Sequence, residues 1–165
     1  MVAQHTGPVL GIDPGLNCTG WGLVATQGGQ QVLLASGAIR TSSSEDFLAR
    51  LDQIYQQLRE VIRAHQPAVL AVEDVIYAAN VRIALKLGHA RGAILLAAAH
   101  SSLPVASYAP KEIKQAVSGN GNASKEQVQR MVQSILGLRT VPAPNDIADA
   151  IAVALCHINR SRFNL

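Results

Sequence analysis

The sequence has little cysteine and no long apolar run. Its two cysteines, Cys18 and Cys156, lie far apart and without CxxC spacing, which argues against a disulfide framework and against a structural zinc site. No apolar stretch approaches the roughly 18 residues that a membrane-spanning helix needs. The opening MVAQHTGPVL lacks a cationic segment followed by an apolar one, the mark of an export signal. Together these absences predict a soluble, unexported protein in a reducing cytoplasm, with no membrane partner. The histidines His5, His65, His89, His100 and His157 are scattered, and none has the spacing of a metal ligand. No internal repeat, low-complexity tract or linker divides the chain.

What is present suits one well-formed core. With 165 residues, 48% hydrophobic and 15% charged, the chain is long enough for a single domain over 1–165 and short for two. Residues 8–13, 19–26 and 31–39 read as strands, the last two joined by the glycine-rich turn QGGQ, so the three form an antiparallel meander. Phe47, Leu51, Ile54, Tyr55, Leu58, Val61 and Ile62 then recur at helical spacing up to Pro67. The valine-rich AVLAVED, residues 68–74, reads as a strand covered on both faces. A right-handed crossover lays it parallel to an earlier strand.

Further along, residues 80–101 are helical and alanine-rich, with Gly88 and Gly92 one turn apart. They permit close backbone approach, either to the sheet or to a second subunit. A fifth strand in LPVASYAP and a short helix in KEIKQAVSG follow. Ser124 and Gln127 form a capping box ahead of a helix that ends at Gly137, and a last helix runs from about Asp146 to Arg160, burying Ile147, Ile151, Leu155 and Ile158. The predicted fold class is α/β, a five-stranded mixed sheet flanked by helices.

Four carboxylates stand out against this frame. Asp13 ends the first strand and Glu73 the fourth; if those strands are neighbours, the side chains lie about one strand spacing apart, near 4.8 Å. Asp146 and Asp149, three residues apart, project from one face of the first turn of the last helix. Two metal ions about 3.5 to 4 Å apart could share such a site, one carboxylate bridging both. Oxygen ligands without clustered His or Cys specify a hard cation, Mg²⁺ or Mn²⁺. Each acid also has a plainer role open to it: Asp13 as a turn residue before Pro-Gly, Glu73 with Asp74 as a solvated strand end, Asp146 and Asp149 as partners of a helix dipole. If the four are set apart, the 11 acids fall to seven against 14 Lys and Arg. A basic surface around an acidic pit suits a nucleic-acid backbone.

The motifs GIDPG followed by TGWG, VED within LAVEDV, ALKLGHARG, KEIKQAVSGNG with SKEQVQ, and DIADAIA followed by CHI resemble those of the RuvC family of bacterial Holliday-junction resolvases. They run from residue 9 to about 158 in the family's order. The resemblance implies a ribonuclease H-like fold and a homodimer. It implies Mg²⁺-dependent cutting of two opposed strands of a four-way DNA junction, with two ions per site, and an association with the RuvA-RuvB branch-migration complex. It places the catalytic acids at Asp13, Glu73, Asp146 and Asp149, and contacts to the cleaved strand at Lys114 and Lys125. The family's stacking aromatic falls at Ile76 here, with Tyr77 next to it.

Weaker expectations attach to other positions. Arg82 and Lys86, with His89, share a helix face that either lines a DNA groove or is simply solvated. Tyr77 beside Asn80 either stacks on an unpaired base or is buried with its hydroxyl bonded. Three other functions compete: a nuclease on other nucleic acids, a junction-binding module that does not cut, and an actin-like ATPase, which also opens with a motif like GIDPG. The last needs a second phosphate loop, and GNGNAS lacks the acid. Against an inactive binder, four clustered carboxylates are costly without cations.

Overall fold

A computed structural model describes residues 7–74 and 80–163. Five strands and five helices follow in the order β1 (Val9–Asp13), β2 (Cys18–Gln27), β3 (Gln30–Arg40), α1 (Phe47–His65), β4 (Val69–Glu73), α2 (Val81–His100), β5 (Val105–Tyr108), α3 (Pro110–Ser118), α4 (Lys125–Ile135) and α5 (Asn145–Phe163). The sheet order is β3-β2-β1-β4-β5. The first three strands form the expected antiparallel meander, and β4 pairs parallel with β1 on one side and with β5 on the other.

Local chemistry accounts for the boundaries. Gly28 and Gly29 at φ +56° and +82° supply the left-handed pair that a tight two-residue hairpin demands. Asp46 caps α1 by accepting from the backbone amides of Leu48 and Ala49 at 3.0 and 3.2 Å. Ser124 and Gln127 make the reciprocal bonds of the capping box that opens α4, at 2.8 and 3.1 Å, and Gly137 turns the chain away at φ +60°.

Helices cover both faces of the sheet. On one side α1 and α2 bury Ile54, Leu58, Ile62, Ala90 and Ile94 against Leu10, Ile12, Leu70 and Val72. On the other, α3, α4 and α5 pack Ile113, Val128, Val132, Ile151 and Leu155 against Val9, Val24, Val69 and Ala71.

The fit of α5 on this second face is close because the strands beneath it carry no side chain at three places. A Cβ on Gly11 would stand 2.1 Å from the carbonyl oxygen of Ala150, one on Gly20 2.0 Å from that of Asp146, and one on Gly22 2.4 Å from Ile151 Cγ1. By contrast, Gly88 and Gly92 on α2 face open space, which removes the sheet, one of the two surfaces they could have approached.

Gly11→Ala must push α5 outward. Overpacking of this kind costs about 1–3 kcal/mol or more, and urea unfolding of the variant should show a midpoint lowered to match.

Candidate active site

Strand alternation aims the first two acids. Val9, Gly11 and Asp13 share one face of β1, and Val69, Ala71 and Glu73 share the same face of β4, because successive side chains of a strand point to opposite sides. This is the face that α5 covers. Ile12 pairs with Val72, so Asp13 and Glu73 leave the sheet side by side, close enough for each carboxyl group to perturb the other.

Helix α5 brings the other two acids over these strand ends. Asp13, Glu73 and Asp149 line a cavity of about 330 Å³ whose walls include Lys114 of α3, Lys125 of α4, and the apolar Ile113, Val128, Ala152 and Val153. Asp146 lies on a neighbouring groove of about 580 Å³ with Asp13, Asn17, Cys18, Arg50 and Lys86. Asp13 belongs to both.

The acids perturb one another. Burial, and then the charges of Glu73, Asp149 and Asp146, raise the Asp13 carboxyl from 3.8 to about 8, with Lys125 pulling the other way. Glu73 is raised as well, first by burial and then by Asp149. Lys125 Nζ sits 2.6 Å from Asp149 Oδ2, and that hydrogen bond raises the lysine's own pKa. Among the described residues no three His, Cys, Asp or Glu side chains are already drawn into a cage around one point. The carboxylates stand instead as contacts: Asp13 with Glu73, Asp149 with Lys125, Asp146 with Cys18.

Such an arrangement fits a divalent cation. The donors are all carboxylate oxygens, as hard cations require, and acids whose pKa is raised by partial burial and then by mutual repulsion are groups that a nearby positive charge would ionise.

The remaining expected positions divide. Lys114 and Lys125 face the acids, and Lys86 lines the groove next to them. Asn80 caps α2, its Oδ1 accepting from the Ile83 amide at 2.9 Å. Arg82 is exposed on the first turn of that helix. His89 turns back onto Phe47, ring centroids 5.4 Å apart. Tyr77 lies outside the described residues. Asp74 has a role of its own, accepting at 2.6 Å from Arg91, which also donates to Ser107 Oγ at 2.7 Å.

Three residues near the site were not singled out for a role there. Arg50 is buried and clamps the β1–β2 loop, donating to Asn17 Oδ1 and, at 2.9 Å, to Thr41 Oγ1. Its place on the apolar stripe between Phe47 and Ile54 was the available signal. Cys18, considered only for disulfide and zinc, lines the same groove as Asp146, and burial, then that carboxylate's charge, raises its thiol pKa. Gln129 is buried and donates to Asp149 Oδ1 at 3.5 Å; it sits one helical turn after Lys125, on the same face of α4.

The Asp13 proton has a measurable consequence. The folded protein holds it to about pH 8, whereas the unfolded chain releases it near 3.8. The native state therefore binds more protons across that window, and stability falls as pH rises through it. In EDTA, Asp13→Asn should melt higher than the wild type at pH 8, and the difference should close toward pH 4. Circular dichroism melts across this range would reveal a pH-independent gap if the assignment were wrong.

Comparison with known proteins identifies the family. The family model described as crossover junction endodeoxyribonuclease RuvC matches residues 9–157. A curated relative from Moorella thermoacetica, crossover junction endodeoxyribonuclease RuvC, is 54% identical over 149 residues, 90% of this chain and 89% of the relative. Thermus thermophilus RuvC is 39% identical, covers 94% of this chain and 95% of its own, and superimposes with a TM-score of 0.87. The same protein in complex with Holliday junction substrate gives 0.90 at the same identity and coverage. The chain belongs to the RuvC family of crossover junction endodeoxyribonucleases, ribonuclease H-like nucleases of DNA recombination and repair that resolve Holliday junctions and depend on a divalent metal ion.

Proposed function

We propose that this protein cuts two opposed strands of a four-way DNA junction by paired, symmetric phosphodiester hydrolysis, as one ribonuclease H-like domain over 1–165 acting in a homodimer. Asp13, Glu73, Asp146 and Asp149 hold two Mg²⁺ ions, for which Mn²⁺ can substitute. The observation that carries this reading is the half-buried Asp13, side by side with Glu73 and shared by two adjoining cavities. When bound, the cations supply neutralising charge at the scissile phosphate and ease deprotonation of the attacking water.

The chain's own groups do the rest. Lys114 and Lys125 meet oxygens of the scissile phosphate and hold it over Asp13. Ile113, Val128, Ala152 and Val153 exclude bulk water, which strengthens every charge interaction inside. Lys86, in the adjoining groove, takes a phosphate farther along the strand. The cut strand thus crosses from one cavity to the other over Asp13. Arg82 and Asn80 contact the DNA beyond it, and Tyr77, outside the described residues, is a DNA contact on the sequence reading alone.

Symmetry argues for the dimer, since paired incisions in a near two-fold junction need two sites related in the same way. Helix α2 offers the surface: Leu85 and Leu96 are 59% and 50% exposed and form one stripe with Gly88 and Gly92, both facing open space. RuvA-RuvB is the partner assigned by family resemblance. A cytoplasmic location is supported by the DNA substrate and by two free thiols. No described helix is long and apolar enough to cross a membrane.

Two measurements test the scheme. On a labelled four-way junction with Mg²⁺, wild type should produce symmetric, ligatable nicks, while Asp146→Asn should bind the junction and leave it whole; nicking by the variant at the wild-type rate would refute the metal site. In sedimentation, Leu96→Glu should run as a folded monomer where wild type is a dimer, and its residual nicks should be single instead of paired.

A further inference from the structure

We propose that Gln129 is a positioning residue for Asp149, an inference that rests on Asp149 holding a metal ion. Helix α4 meets this carboxylate with two side chains one turn apart. Lys125 Nζ lies 2.6 Å from Oδ2, and Gln129 Nε2 donates to Oδ1 at 3.5 Å.

The two contacts differ in kind. The Lys125 side chain is 55% exposed and sits on a flexible stem, so it can leave Asp149 for a phosphate oxygen. Gln129 is 8% exposed, on a helix whose neighbouring inward positions are Val128 and Val132. At such a place an aliphatic side chain would pack without desolvating an amide. The amide there is directed at Asp149.

A neutral donor suits the task better than a second ammonium would. It fixes one oxygen without adding a positive charge that opposes the cation, and leaves the other oxygen for ligation. Once Lys125 has moved to the DNA, Gln129 still holds the carboxylate in place. Groups that orient a ligating side chain in this way typically change metal affinity or activity about 10- to 100-fold when removed.

Gln129→Met tests the idea, since it keeps the length of the side chain and removes the donor; Gln129→Leu provides a second donorless variant. Full-length wild type and variants would be titrated with Mn²⁺ by calorimetry without DNA, melted in EDTA, and assayed for junction cutting across Mn²⁺ concentrations. The variants should melt at or above the wild-type temperature, bind Mn²⁺ about tenfold more weakly, and need correspondingly more Mn²⁺ for half-maximal cutting, while the rate at saturation changes less. Wild-type Mn²⁺ affinity in both variants, whatever their melting behaviour, would assign Gln129 to packing alone. A wild-type protein that takes up no Mn²⁺ would overturn the metal site itself along with this inference, and no variant is needed to see it.

Discussion

The contact on which the site depends is the backbone of α5 against the bare strands beneath it. Asp146 and Asp149 sit on a helix, Asp13 and Glu73 on strands, and a helix resting on ordinary side chains would stand off by the thickness of those side chains. Gly11, Gly20 and Gly22 abolish that spacing. The carbonyl of Asp146 is itself the atom closest to where a Gly20 Cβ would be, so a residue proposed to hold a metal ion also touches the sheet with its own backbone. Steric absence in β1 and β2 and the chemistry of α5 are a single arrangement.

This closeness has an electrostatic cost that the rest of the cleft manages. Bringing carboxylates together under apolar walls raises the proton affinity of Asp13 and Glu73. Lys125 relieves part of the strain through Asp149, and Cys18 makes a weaker contact to Asp146. A site poised in this way suits a cation, because a positive charge would favour the ionised form of its acids.

Much of the fold was legible in the chain because its local signals agree. The QGGQ hairpin, the α1 stripe, the capping box before α4 and the valine-rich β4 each have one local cause, and each appears where that cause puts it. The right-handed crossover made β4 parallel to an earlier strand, the adjacency of Asp13 and Glu73 depended on that strand being β1, and β4 does lie beside β1. Other features depend on what packs where, which periodicity does not encode. Gly88 and Gly92 looked equally able to meet the sheet or another molecule, and their open surroundings separate the two only in three dimensions. Arg50 and Gln129 read as ordinary polar residues until burial gives each a specific partner.

The order of these parts along the chain carries one more consequence. Asp13 and Glu73 belong to β1 and β4, while both remaining acids belong to the last helix, α5. A growing polypeptide on the ribosome therefore presents the strand pair of carboxylates before α5 is made, and the four come together only once that helix has packed on the sheet.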